Sequence, residues 1–175
     1  MTRFFSGAAV LTLALASGGS ACAAQEFYVG EPVVLEGLQI VPNYLTGVQM
    51  DTAPPGMATG KGTVHLEADV HATKGEAHGF PEDAWIPYLS VKFKLSKAGT
   101  SFSRQGTLYP MTAKDGPHYA NDVAMDGPGI YHLTYTIFPP SSQGFIRHID
   151  KATGVSPWWA PITANWIFTY PAKSK

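Results

Sequence analysis

Between Leu38 and Tyr170 no segment sustains a helical period. Apolar and polar residues alternate instead, and turn residues interrupt them about every ten positions. A chain so patterned folds as short antiparallel strands, and one of these carries unusual chemistry. Val64–Ala72 reads VHLEADVHA. As a strand it turns Val64, Leu66, Ala68, Val70 and Ala72 to one side and His65, Glu67, Asp69 and His71 to the other. The first side is a core stripe. The second holds four titratable groups, more than a merely hydrated face needs. His65 and His71 are roughly 20 Å apart along an extended strand, whereas His65 and Glu67 are about 6.6 Å apart at Cα, close enough to reach one metal ion.

Other strands are expected over Leu38–Met50, interrupted at Pro42 as an edge or bulge, and over Pro87–Lys97, with Leu89, Val91, Phe93 and Leu95 inward. Gly106–Met111 reads as a short strand ending at a loop over Thr112–Pro117. Ile130–Phe138 and Ile162–Tyr170 follow, separated by a long segment, Pro139–Pro161, whose length itself suggests a function. About seven strands at this spacing predict an all-β fold, an immunoglobulin-like antiparallel β-sandwich, with no internal repeat.

The first 24 residues stand apart. Arg3 is their sole charge, Ala8–Ala16 is apolar, and small residues lead to Ala-Cys-Ala-Ala. This is a predicted secretory signal peptide over 1–24, followed by a single metal-binding domain over 25–175 and a periplasmic location. Lipidation at Cys22 is the alternative, although Gly19 stands where a lipoprotein signal usually carries a Leu-like residue. Cys22 is the only cysteine, so the remaining domain depends on a packed core and not on disulfides. Setting Arg3 aside leaves 11 of the 12 basic residues against 13 acidic ones, a net charge of −2 with histidine neutral. That balance argues against nucleic acid, and no later segment is apolar for long enough to span a bilayer.

Met111 precedes His118 by seven residues across an Asp-Gly-Pro turn, and His148 lies in the long segment. Taken singly, a methionine is more often core filler and a loop histidine more often hydrated. Together, imidazole, thioether and carboxylate suit copper, the soft sulfur favouring Cu(I). Fe(II) or Mn(II) would draw on more oxygen, for which Glu67, Asp69, Asp115 and Asp150 are available. No HExxH, GxSxG or phosphate-binding glycine pattern is present. The residues support a metal-binding module over an enzyme. A copper-dependent iron oxidase or reductase, a copper-homeostasis protein and a β-sandwich interaction module remain as alternatives.

The blocks HLEADVHA, EDAWIPYLSVKFKL, GTLYPMTAKDGPHYAN, GIYHLTYTIFPPSSQGFIRHID and TGVSPWW resemble the periplasmic iron transport protein family, whose members bind copper and accompany Ftr-type iron permeases. The treponemal membrane-antigen lipoproteins are similar. The resemblance implies copper ligands at His65, Met111, His118 and His148, with Glu67 beside them, and iron as the transported ion. It also implies an immunoglobulin-like sandwich that pairs as a homodimer, with the metal near the interface. The Trp158-Trp159 pair would suit that interface or cap its own core.

Overall fold

The computed structural model describes residues 25–172, so the predicted signal peptide, including Cys22, lies outside the described residues. Nine strands form one continuous antiparallel sheet folded into two layers. They are β1 (Gln25–Tyr28), β2 (Val33–Leu35), β3 (Leu38–Thr46), β4 (Thr63–Ala72), β5 (Ser90–Lys97), β6 (Ser103–Ala113), β7 (Gly116–Ala124), β8 (Gly129–Phe138) and β9 (Ile162–Tyr170). The order is β1-β3-β4-β7-β6-β5-β8-β9, with β2 also on β3. A single 3-10 turn, Pro140–Gln143, interrupts the long β8–β9 connection among the described residues. No helix there is long and apolar enough to cross a membrane. The all-β sandwich expected from the alternation is what the chain forms.

One strand joins the layers. The first part of β6, through Leu108, pairs with β5, and from Tyr109 onward it pairs with β7. Gly106 makes this passage possible, because a Cβ there would lie 2.8 Å from Cε1 of its cross-strand neighbour Phe93. Between the layers, Leu66, Ala68 and Val70 of β4 bury with Val91 and Leu95 of β5 and with Tyr131, Leu133, Tyr135 and Ile137 of β8. These are the inward sets the alternation marks out. Trp159 joins this core and Trp158 packs against it, so within the chain the tryptophan pair caps its own interior.

The structure corrects several strand expectations. Pro42 is neither at a sheet edge nor in a bulge: it stays in register with Ala68 of β4. Its carbonyl accepts the Val29 N–H at 3.0 Å. A residue's N–H and C=O point to the same side of a strand, so the missing donor faces the gap where β3 changes partner from β2 to β1. Thr112–Pro117 is not a loop. The β6 and β7 strands pair as far as Ala113 and Gly116, leaving Lys114 and Asp115 as a two-residue turn. The alternation does not reveal strand β7, nor β1 and β2.

Tyr119 ties the layers with its hydroxyl, which donates to the Ile86 carbonyl at 2.8 Å and accepts the Leu89 N–H at 3.0 Å. Both bonds are buried. Tyr119→Phe keeps the ring and strands those backbone groups, so it should cost about 1–3 kcal/mol of stability. Urea unfolding of the two proteins measures this, and an unchanged midpoint would show that the hydroxyl contributes nothing.

Candidate metal centre

The outer face of β4 is where the ionisable groups gather. Antiparallel register sets His65 opposite Asp122 and Glu67 opposite Ala120 on β7, while Met111 on β6 faces His118. Directly opposed residues share a face, so β4, β7 and β6 bring His65, Glu67, His118, Asp122 and Met111 to one side of the sheet. Across the core, the Tyr135 hydroxyl donates to the Glu67 carbonyl at 2.7 Å, fixing β4 at the position that carries the carboxylate.

Three of the five residues implied as ligands converge. Nε2 of His65 lies 3.5 Å and Nε2 of His118 lies 3.4 Å from Oε1 of Glu67. Ligand atoms of all three residues fall within 4.8 Å of one another. Two atoms each about 2.1 Å from one ion are ~3.0 Å apart at a right angle and ~3.4 Å apart at the tetrahedral angle, so the spacing is that of a shared coordination sphere. His65, Glu67 and His118 are 3%, 7% and 6% exposed, although they lie outside the inter-layer core. The connection between β3 and β4 folds over this end, where the Ala58 N–H donates to the Asp122 carbonyl. His65, Asp122, Ala58 and Gly60 border a cavity of about 320 Å³ there.

The protons are arranged for a cation. Asp122 Oδ1 lies 2.6 Å from Nδ1 of His65. A carboxylate there accepts a hydrogen bond from Nδ1–H and leaves the Nε2 lone pair facing Glu67. Nε2 of His118 is buried with no hydrogen-bond partner. An unpaired imidazole nitrogen beside a carboxylate and a second free nitrogen fits a metal ligand and fits a packed core poorly.

The surrounding charge points the same way. Burial, together with Asp69, Asp115 and Glu26, pushes the Glu67 carboxyl up to about 8. Asp69 and Glu26 are also raised, chiefly by burial, and burial lowers His118. Asn43 holds two of these carboxylates, donating from Nδ2 to Asp69 at 2.9 Å and Glu26 at 3.1 Å.

His71 shares the β4 face but lies outside the cluster, opposite Gln39 and bridged to Trp85. His148 is exposed, with Nδ1 2.8 Å from the Thr153 hydroxyl, and the chain does not bring it to His65, Glu67 and His118. Among the carboxylates named from the sequence, Asp69 and Asp115 are near enough to act on Glu67, whereas Asp150 is exposed and accepts the Ala152 and Thr153 N–H groups of its own turn. Sequence reasoning missed Asp122, Glu26 and Asn43. The spacing His118, Ala120, Asp122 would have revealed Asp122 once β7 was recognised as a strand.

Comparison with known proteins gives consistent matches. The family described as Fe2+ transport protein matches residues 23–172. The FetP protein of uropathogenic Escherichia coli strain F11, solved after expression in the periplasm, is 41% identical. It superposes with a TM-score of 0.77 over 83% of this chain and 96% of its own. The copper-reconstituted P19 protein of Campylobacter jejuni is 39% identical, with a TM-score of 0.80 over 86% of this chain and 99% of its own. The 34 kDa membrane antigen of Treponema pallidum is 35% identical over 146 residues, 81% of this chain and 72% of the antigen.

The raised carboxyls set how stability varies with pH in the metal-free protein. Between about 4.5 and 8 the folded state keeps a proton on Glu67 that the unfolded chain has released. Stability therefore falls as pH rises through that window, and Asp69 and Glu26 act in the same sense. His118, lowered from 6.5, opposes them only up to that value. Thermal unfolding in chelator should show a melting temperature that declines from pH 6.5 to 8, with Glu67→Gln removing most of the decline. A flat profile in the unaltered protein would contradict the buried, protonated carboxyl.

Proposed function

The chain belongs to the Fe2+ transport protein family, and we propose that it is a periplasmic metal-binding protein of a high-affinity iron uptake system. In this reading it holds copper at His65, Glu67, Met111 and His118 and passes iron to an Ftr-type permease of the inner membrane. The observation that carries the reading is the buried trio itself: two imidazole nitrogens 3.5 and 3.4 Å from one carboxylate oxygen, one of them unpartnered. Met111, across from His118 on the same face, adds the soft donor that favours copper over harder ions. The copper-reconstituted state of the P19 relative supports the same ion.

The exposed loop around His148 is explained by pairing. Ile146 and Ile149 flank it at 87% and 80% exposure, an apolar rim that burial against a second copy would remove from water. As a homodimer, the protein would supply His148 of one copy to His65, Glu67 and His118 of the other. Copper, when bound, supplies a one-electron Cu(I)/Cu(II) couple. The chain's own residues orient the ligands and manage protons: Asp122 fixes the His65 tautomer, and Glu67 gives up its proton as the cation arrives. Asp69 and Glu26, gathered by Asn43 beside this centre, supply the harder oxygen donors that Fe(II) prefers. That acidic group also favours one alternative, a copper-dependent iron oxidase. Sustained oxygen consumption with Fe(II) in excess over protein would distinguish it from carriage.

Titration with Cu(II) against a competing chelator tests the proposal. His65→Ala and His118→Ala should each abolish tight binding, and Asp122→Asn should weaken it by roughly 10–100-fold. His132→Ala, on the exposed face of β8, should leave it unchanged. Met111→Leu should weaken Cu(I) more than Cu(II), with folding altered by less than about 1.5 kcal/mol. Unaltered affinity in both His65→Ala and His118→Ala would refute the site.

A further inference from the structure

His78 takes no part in the buried trio, yet its side chain is 6% exposed and faces Glu76, whose side chain is fully buried. Nδ1 meets a Glu76 carboxylate oxygen, and Nε2 lies 3.0 Å from the Pro157 carbonyl. A carbonyl only accepts, and so does an ionised carboxylate. Nε2–H therefore donates to the carbonyl, and Nδ1 shares one proton with the Glu76 carboxyl. It stacks on Trp158 at 4.8 Å and 9° and meets the edge of Trp159 at 5.0 Å, so two aromatic rings hold it in place. The second Glu76 oxygen accepts the His78 and Phe80 N–H groups at 2.7 and 3.2 Å, so the carboxylate is itself held in place.

The same contacts lead to His148. Ser156 N–H donates to the Ala77 carbonyl, and Val155 N–H donates to the His148 carbonyl at 3.1 Å. Arg147 Nη1 closes the turn on the Val155 carbonyl, also at 3.1 Å. The segment after β4 thus grips residues 155–159, and these hold the turn that presents His148. We infer that His78 is a positioning residue, a hydrogen-bonded and stacked clamp that fixes the His148 turn for metal binding. This inference rests on the reading of His148 as a ligand.

The test begins with the metal-free full chain and hydrogen exchange. His78→Phe keeps the stacking and removes both hydrogen bonds, so amides of 145–157 should exchange about tenfold faster or more, with β4 and β7 unchanged. His78→Arg, a planar cation that can donate to both acceptors while stacking, should restore protection. If His78→Phe does not fold, His78→Gln, whose donors sit on one nitrogen and cannot span both partners, takes its place. In the copper-loaded protein, His78→Phe should reduce Cu(II) affinity by the same factor as His148→Ala, with no further loss in the double variant. Its Cu(II) paramagnetic resonance should show the same missing imidazole nitrogen. Unchanged exchange in 145–157, or losses that multiply in the double variant, would overturn the clamp. A His148→Ala protein that binds copper normally would instead remove His148 as a ligand, leaving exchange to judge the clamp alone.

Discussion

Two imidazoles and a carboxyl buried together on the outside of a sandwich impose the main constraint on this molecule. Ionised groups are costly to remove from water unless they are paired, and here the pairing is incomplete. Glu67 answers by holding a proton well above the ordinary carboxylate range, and His118 answers by losing one, leaving its Nε2 unpartnered. A divalent cation held by His65, Glu67 and His118 would resolve both at once, taking the place of the Glu67 proton beside the free lone pairs. The metal-free protein thus gives up stability to hold these three groups together.

The rest of the fold makes that cluster rigid. Three adjacent strands carry the groups, so their spacing follows from backbone hydrogen bonds and not from loop conformation. Strand β6 is long enough to belong to both layers, which locks the Met111–His118 hairpin to the core through β5. Tyr135 reaches through that core to the carbonyl of Glu67 itself. Each tie limits how far the trio can spread.

Much of this was legible in the residues. The alternation in Val64–Ala72 separates core from site along β4, and Ile162–Tyr170 matches β9 at both ends. Strand β7 escaped because its segment, with Pro117, Asn121 and Asp122, is rich in residues that strands usually avoid. Of these only Asp122 belongs to the site, beside His65, whereas Asn121 on the opposite face donates to the Thr107 carbonyl. Pro42 misled for a related reason: only the change of partner from β2 to β1 shows why a missing amide costs little there. Met111 and His118 were rightly associated, although strand pairing rather than a flexible loop unites them. The location of His148 depends on contacts between two distant connections, which periodicity does not encode.

The central claim is that one copper ion binds where Nε2 of His65, Nε2 of His118 and Glu67 converge. Anomalous diffraction at the copper edge, from crystals of the copper-loaded protein, tests it most directly. The account predicts a single strong peak per chain, about 2.0–2.2 Å from both Nε2 atoms, with the Met111 sulfur in its coordination sphere. A peak on exposed imidazoles such as His132, with none at the buried trio, would contradict it.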